Sequence, residues 1–103
     1  MGAYEWNNIG KNDLQNANDG GQIMSYPNPF IDHVNFKYIL NGLSHVTMRI
    51  YNHLGQLISE PVNMTQSMGE QHFTWYPGPL PAGLYYYRFE ANGKTVNGKL
   101  IKR

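Results

Sequence analysis

Leu80-Pro81-Ala82-Gly83-Leu84-Tyr85-Tyr86-Tyr87-Arg88-Phe89-Glu90 is a turn that runs into a strand, and it holds the densest aromatic cluster of the chain. Pro81 fixes its φ near −65° and has no N–H to donate, so the backbone breaks there instead of pairing. Gly83 then either lets the backbone enter the strand through a conformation closed to other residues or lets a neighbour approach closely. From Leu84 the period is two. Tyr85, Tyr87 and Phe89 fall on one face, and Leu84, Tyr86, Arg88 and Glu90 on the other. The charged pair marks the second face as the wet one, so the first is assigned to a core. Burying three aromatics from one strand contributes roughly 1.5–3 kcal/mol each before ordering entropy is subtracted. A second layer must face them.

The rest of the composition agrees with a layered β domain. The chain has 103 residues, enough for one domain and a tail. Eleven glycines, six prolines, eight tyrosines, four phenylalanines and two tryptophans, with no helical period, describe short strands separated by turns. The net charge of +1 with 15% charged residues gives no field to hold nucleic acid or an anionic membrane. The absence of cysteine leaves the core to aromatics and leaves the redox compartment open. No apolar run approaches the ~18–20 residues of a membrane-spanning helix. The start is polar, without the apolar stretch of a signal peptide, and the chain reads as a piece of a longer protein.

Working outward, residues 1–22 separate from the rest. Asn7 to Gln22 contains five asparagines, two glutamines, two aspartates and three glycines against Ile9, Leu14 and Ala17. Such a stretch buries too little surface to offset its ordering entropy, and it is expected to be a linker. Ahead of it, Gly2-Ala3-Tyr4-Glu5-Trp6 resembles the closing segment of right-handed parallel β-helix domains.

Residues 23–103 are expected to form the folded domain. Ile23-Met24-Ser25-Tyr26 is a short first strand, ended by Pro27 and Pro29, with Phe30 tucking under an edge. Val34, Phe36, Tyr38 and Leu40 alternate inward, and Asn41-Gly42 is expected to supply positive φ for a tight turn. Val46, Met48 and Ile50 alternate inward next. The loop Asn52-His53-Leu54-Gly55-Gln56 follows, with Gly55 left-handed and the Asn52 side chain bonding local backbone. Leu57 to Val62 is the return strand, irregular at Pro61 and so expected to be an edge or to carry a bulge, and Asn63 to Met68 is expected to be a polar loop. Phe73 and Trp75 face inward from a fifth strand, the opening stretch is the sixth, and Asn92-Gly93 turns the chain into a seventh, from Lys94 to Ile101. Seven short strands with regular turns predict an all-β fold, an Ig-like antiparallel β-sandwich.

Five landmarks then stand in order. They are Tyr26-Pro27-Asn28-Pro29-Phe30, Val46 to Asn52 with Leu54-Gly55-Gln56, Gly69 with Phe73-Thr74-Trp75, Leu80 to Arg88, and Lys99-Leu100-Ile101-Lys102-Arg103. Together these resemble the type A C-terminal sorting domains of the type IX (Por) secretion system of Gram-negative bacteria. Asn52 stands where many members carry Asp, Tyr76 where Asp often follows the Trp, and Pro61 interrupts the fourth strand.

The resemblance implies a non-catalytic signal that directs a periplasmic cargo through an outer-membrane translocon, with shuttle proteins as further partners. It also implies that a sortase-like cysteine peptidase then removes the domain, within Asn7–Gln22, and that the cargo is secreted or attached at the cell surface to anionic lipopolysaccharide. Translocon recognition is expected at Lys94, Lys99, Leu100, Ile101, Lys102 and Arg103. Half of the eight basic residues lie in these last ten positions, with no acid among them. Strand addition at an exposed edge would suit such a segment; the plainer reading is a basic end that only protects the edge and keeps it soluble. Tyr26, Pro27, Asn28, Pro29, Phe30, Asn52, Gly55, Trp75, Leu80, Pro81, Gly83, Tyr85 and Tyr87 are read as structural members of the motif.

Other chemistry finds little support. His33, His45, His53 and His72 lack metal-ligand spacing, no serine sits in a nucleophile turn, and Asp32, Glu60, Glu70 and Glu90 are scattered. No enzyme, cofactor or small-molecule substrate is expected. The alternative is a structural or adhesive Ig-like module that stays on its parent protein. A carbohydrate-binding platform of Trp75, Tyr76, Tyr51 and Tyr86 ranks below that, since Trp75 shares parity with the inward Phe73.

Overall fold

The computed structural model describes residues 23–103. The reading of residues 1–22 as a linker, and of Gly2 to Trp6 as the end of an upstream domain, lies outside the described residues. Seven strands follow: β1 (Ile23–Tyr26), β2 (Val34–Leu40), β3 (Ser44–Tyr51), β4 (Leu57–Gln66), β5 (Gly69–Trp75), β6 (Gly83–Ala91) and β7 (Lys94–Lys102). They form two antiparallel sheets, one ordered β1-β2-β5 and the other β4-β3-β6-β7. The all-β sandwich expected from the turn spacing is the fold.

Alternation decides which side chains meet between the layers. Val34, Phe36, Tyr38 and Leu40 of β2 are buried, as are Val46, Met48 and Ile50 of β3 and Tyr85, Tyr87 and Phe89 of β6. The aromatics interlock across the gap. Phe36 stacks on its neighbour Phe73 within its own sheet at 5.1 Å and meets Tyr87 of the other sheet edge-on at 5.4 Å, and Tyr38 packs on Phe89 across the gap at 4.7 Å. Each such pair adds about 0.5–1.5 kcal/mol to its area burial.

Three polar atoms carried into this interior find partners in the opposite sheet, as burial demands. The Tyr38 hydroxyl donates to Gln66 Oε1 at 2.6 Å and the Trp75 indole N–H to Ser59 Oγ at 3.2 Å. The Tyr87 hydroxyl bonds Ser25, and burial pushes its ionisation well above the ordinary tyrosine range.

Two local expectations are corrected. Neither Asn41 nor Gly42 takes a positive φ. Their connection carries the chain from β2 in one sheet to β3 in the other, so no hairpin forms and no left-handed pair is needed; the Ser44 hydroxyl secures it on the Gly42 carbonyl at 2.8 Å. Asn63 to Gln66 is not loop but the second half of β4, with Asn63, Met64, Thr65 and Gln66 paired to Thr47, Val46, His45 and Ser44. The polarity of that segment reflects an edge strand, whose outer face and free margin are both wet.

Candidate functional site

The last strand begins at a two-residue hairpin turn, with Asn92 at φ 54° and Gly93 at φ 78°. These are the mirror-image turn values that asparagine and glycine tolerate. The turn sets Ala91 opposite Lys94, and the register then runs unbroken to Gly83 opposite Lys102. Backbone groups in an antiparallel pair alternate sides. Lys94, Val96, Gly98, Leu100 and Lys102 therefore bond β6, while Thr95, Asn97, Lys99, Ile101 and Arg103 turn their N–H and C=O toward the margin of the sheet.

Side chains follow the same parity. Thr95, Asn97, Lys99 and Ile101 are exposed, whereas Leu100 is fully buried and Gly98 faces inward. A methyl group on Gly98 would lie 2.3–2.4 Å from the Tyr87 ring and hydroxyl, so the glycine is the seat of that ring. Of the residues expected to meet the translocon, Lys94, Lys99, Ile101 and Arg103 are exposed, Lys102 is half-buried, and Leu100 belongs to the core. Its inclusion among the presented residues is corrected on that ground, because an inward side chain cannot be read from outside.

Half of this margin is covered by a strap, Asn28 to Phe30. Phe30 forms a parallel bridge with Lys102, its N–H donating to Ile101 O at 2.8 Å and its carbonyl accepting from Arg103 N–H at 2.9 Å. Two residues earlier the backbone gives way to a side chain. Asn28 Nδ2 donates to Lys99 O at 2.9 Å, and Asn28 Oδ1 accepts from Ile101 N–H at 2.9 Å. One residue of a parallel ladder bonds the two neighbours of its opposite number. The Asn28 amide straddles Leu100 as the Phe30 peptide straddles Lys102, so it stands in for a rung. Its flanking Pro27 and Pro29 bring no N–H of their own, which leaves the side-chain amide to supply the ladder. The Phe30 ring is wholly buried, 6.0 Å from Trp75, and the Asn28–Pro29 bond of the strap and the Tyr26–Pro27 bond before it are both cis. Tyr26, at the end of β1, is exposed.

The other motif residues hold this end of the sandwich. The Tyr85 hydroxyl donates to Pro81 O at 2.7 Å, a tyrosine corner of the kind found in Ig-like sandwiches, and Leu80 packs against the core. Gly83 takes φ 148° at the start of β6. In the β3–β4 loop, Asn52 Oδ1 accepts from Leu54 N–H at 2.9 Å and Gln56 N–H at 3.0 Å, and Gly55 is left-handed at φ 83°. Asn52 Nδ2 also donates to Gln56 Oε1 at 2.8 Å, which ties the two ends of the loop together. Beside the strap, His33 hydrogen-bonds Asp32 at 2.7 Å and holds that carboxyl below its ordinary value, with the Lys102 charge acting in the same direction.

On the outer face, Tyr51, Tyr86 and Lys99 lie in one cross-strand row, and Arg49 and Arg88 in the next. The arginines are held by Glu60 at 3.8 Å and Glu90 at 3.1 Å. Among the described residues no group of three or more His, Asp or Glu converges as metal ligands.

The strap ladder and the Gly98 seat were not visible as such in the sequence. The one signal for the first was an asparagine between two prolines. No curated protein matches the chain. A family model described as secretion system C-terminal sorting domain matches residues 24–103, which takes in the strap, all of β2 to β7 and the basic margin. The chain therefore belongs to the C-terminal sorting domains of the type IX secretion system, the signals that send proteins out of the cell or to its surface.

Proposed function

We propose that this domain is a folded, non-catalytic export signal read at β7 by the outer-membrane translocon or its shuttle proteins. The supporting observation is positional. In a member of this family, Lys99, Ile101 and Arg103 stand exposed on an edge strand, with Lys94 at its hairpin and Lys102 beside Asp32. Recognition needs charge that is presented without unfolding the domain, and these side chains meet that condition.

The burial of Leu100 shapes the test. Deleting Lys99 to Arg103 would remove a core residue and the strap's partners together, and would confound unfolding with loss of the signal. Replacing charge alone avoids this. Lys99→Glu with Arg103→Glu, in the full-length protein, is expected to leave the melting transition in place and to retain the protein inside the cell. Normal surface delivery of that variant refutes the reading.

After export, a sortase-like cysteine peptidase cuts within Asn7–Gln22 and the cargo is joined to anionic lipopolysaccharide. The polar composition of the segment supports this step, because a peptidase requires extended, unpacked backbone. Mass spectrometry of the secreted protein should find a mature C-terminus in that interval. An end intact at Arg103 would favour the adhesive module.

A further inference from the structure

We propose that the open part of the β7 margin, from Thr95 to Lys99, accepts an added strand from the secretion machinery, one that carries acidic side chains. The inference rests on the export reading and specifies how the signal is gripped.

The open groups follow from the register. The strap ladder uses Lys99 O, both backbone groups of Ile101 and Arg103 N–H. It ends there, because Pro27 has no N–H and the chain leaves for β1, which pairs with β2 in the other sheet. The N–H and C=O of Thr95 and of Asn97, with the N–H of Lys99, point the same way and meet no partner among the described residues. They continue a margin that already supports parallel pairing at Phe30 and Lys102. A strand laid against it would find donors and acceptors in register with a ladder that is already in place.

Charge selects the occupant. β7 with Arg103 has no acid of its own, and Lys99 and Arg103 stand exposed along it, while Lys102 lies beside Asp32. Across the outer face, Arg88 lies opposite Asn97, and Glu90, opposite Thr95, is engaged by Arg88 at 3.1 Å. An incoming strand thus meets net positive charge, which favours carboxylates and disfavours a second copy of this same edge.

The test uses proline, which removes a backbone donor without adding charge. The Asn97 N–H faces away from β6, so Asn97→Pro leaves the β6–β7 ladder whole, as proline does at edge positions that face solvent. In the full-length protein, Asn97→Pro is expected to melt as the wild type does and to lose export. Asn97→Ala, which alters only the outward side chain, should export normally. Normal export of a folded Asn97→Pro protein overturns the proposal. If Lys99→Glu with Arg103→Glu still blocks export in that case, the edge mechanism falls and the sorting reading stands; if both export normally, both fall. Should Asn97→Pro lower the melting temperature, Thr95→Pro, whose N–H also faces outward, decides by the same readout. A concentration-dependent dimer that Asn97→Pro abolishes, with export intact, would assign the edge to a second copy and likewise refute the proposal.

Discussion

The two margins of the four-stranded sheet solve one problem in opposite ways. β4, at one side, spoils its own regularity. Met48 faces Val62 and Ile50 faces Ser59, so Glu60 and Pro61 together oppose Arg49 alone, and a second register shift follows before Leu57. A bulge with a proline in it offers no even row of donors to another chain. β7, at the other side, keeps perfect register over nine residues and is protected instead by a separate piece of backbone. One edge is protected by defect and the other by cover. The cover stops halfway, which is difficult to explain if protection were its only purpose.

The comparison can be broken most severely at Phe30. This ring has no exposed surface, and its backbone forms the only strand-like bridge on the β7 margin among the described residues. Phe30→Ala should destabilise the domain by about 3–5 kcal/mol, the usual cost of truncating a buried phenylalanine. In a domain of this size that lowers the melting temperature by more than about 10 °C. Loss of the strap should also speed hydrogen exchange at the Arg103 amide, whose acceptor is the Phe30 carbonyl. A shift of only a few degrees would mean that the strap is decoration and that β7 needs no cover.

Asn28 gives a finer cut. Asn28→Ala removes two hydrogen bonds, one to Lys99 O and one from Ile101 N–H. It leaves the Phe30 ring in its pocket. The expected loss is about 1–2 kcal/mol by denaturant titration, with faster exchange at Ile101 and little change at Arg103. Equal acceleration at both amides would show that the strap detaches as a unit, and the side chain would then be no independent rung.

These residues also show how far the sequence could be read. Alternation placed Tyr85, Tyr87 and Phe89 inward because period two is a local property, and the Asn92-Gly93 turn followed from backbone preference alone. The strap depended on contacts more than seventy positions apart in sequence, such as Asn28 with Lys99, and no local pattern encodes such a pairing. Leu100 was grouped with its basic neighbours because a run of charge masks parity, although alternation with Lys99 and Ile101 would have turned it inward. Asn63 to Gln66 looked like loop because an edge strand with two wet sides has no apolar period to detect. The basic end was legible as composition, but its division into a covered and an open half required the register.

The smallest expected effect belongs to the other margin. Pro61 restricts the unfolded chain, so Pro61→Ala should cost only about 0.4–1 kcal/mol through added unfolded-state entropy. Its consequence for association should be larger than its consequence for stability. An alanine restores an N–H at the bulge, and a more regular β4 would present Leu57, Ile58 and Met64, all exposed, along a margin able to pair. Light scattering at high protein concentration should then detect more self-association than the wild type shows. Pro61→Ala and Asn97→Pro thus move a proline's effect from one edge to the other. The first should make a silent edge adhesive while export persists, and the second should silence the edge proposed to meet the secretion machinery. A Pro61→Ala protein that stays monomeric would place the protection of β4 in its two register shifts rather than in the missing donor.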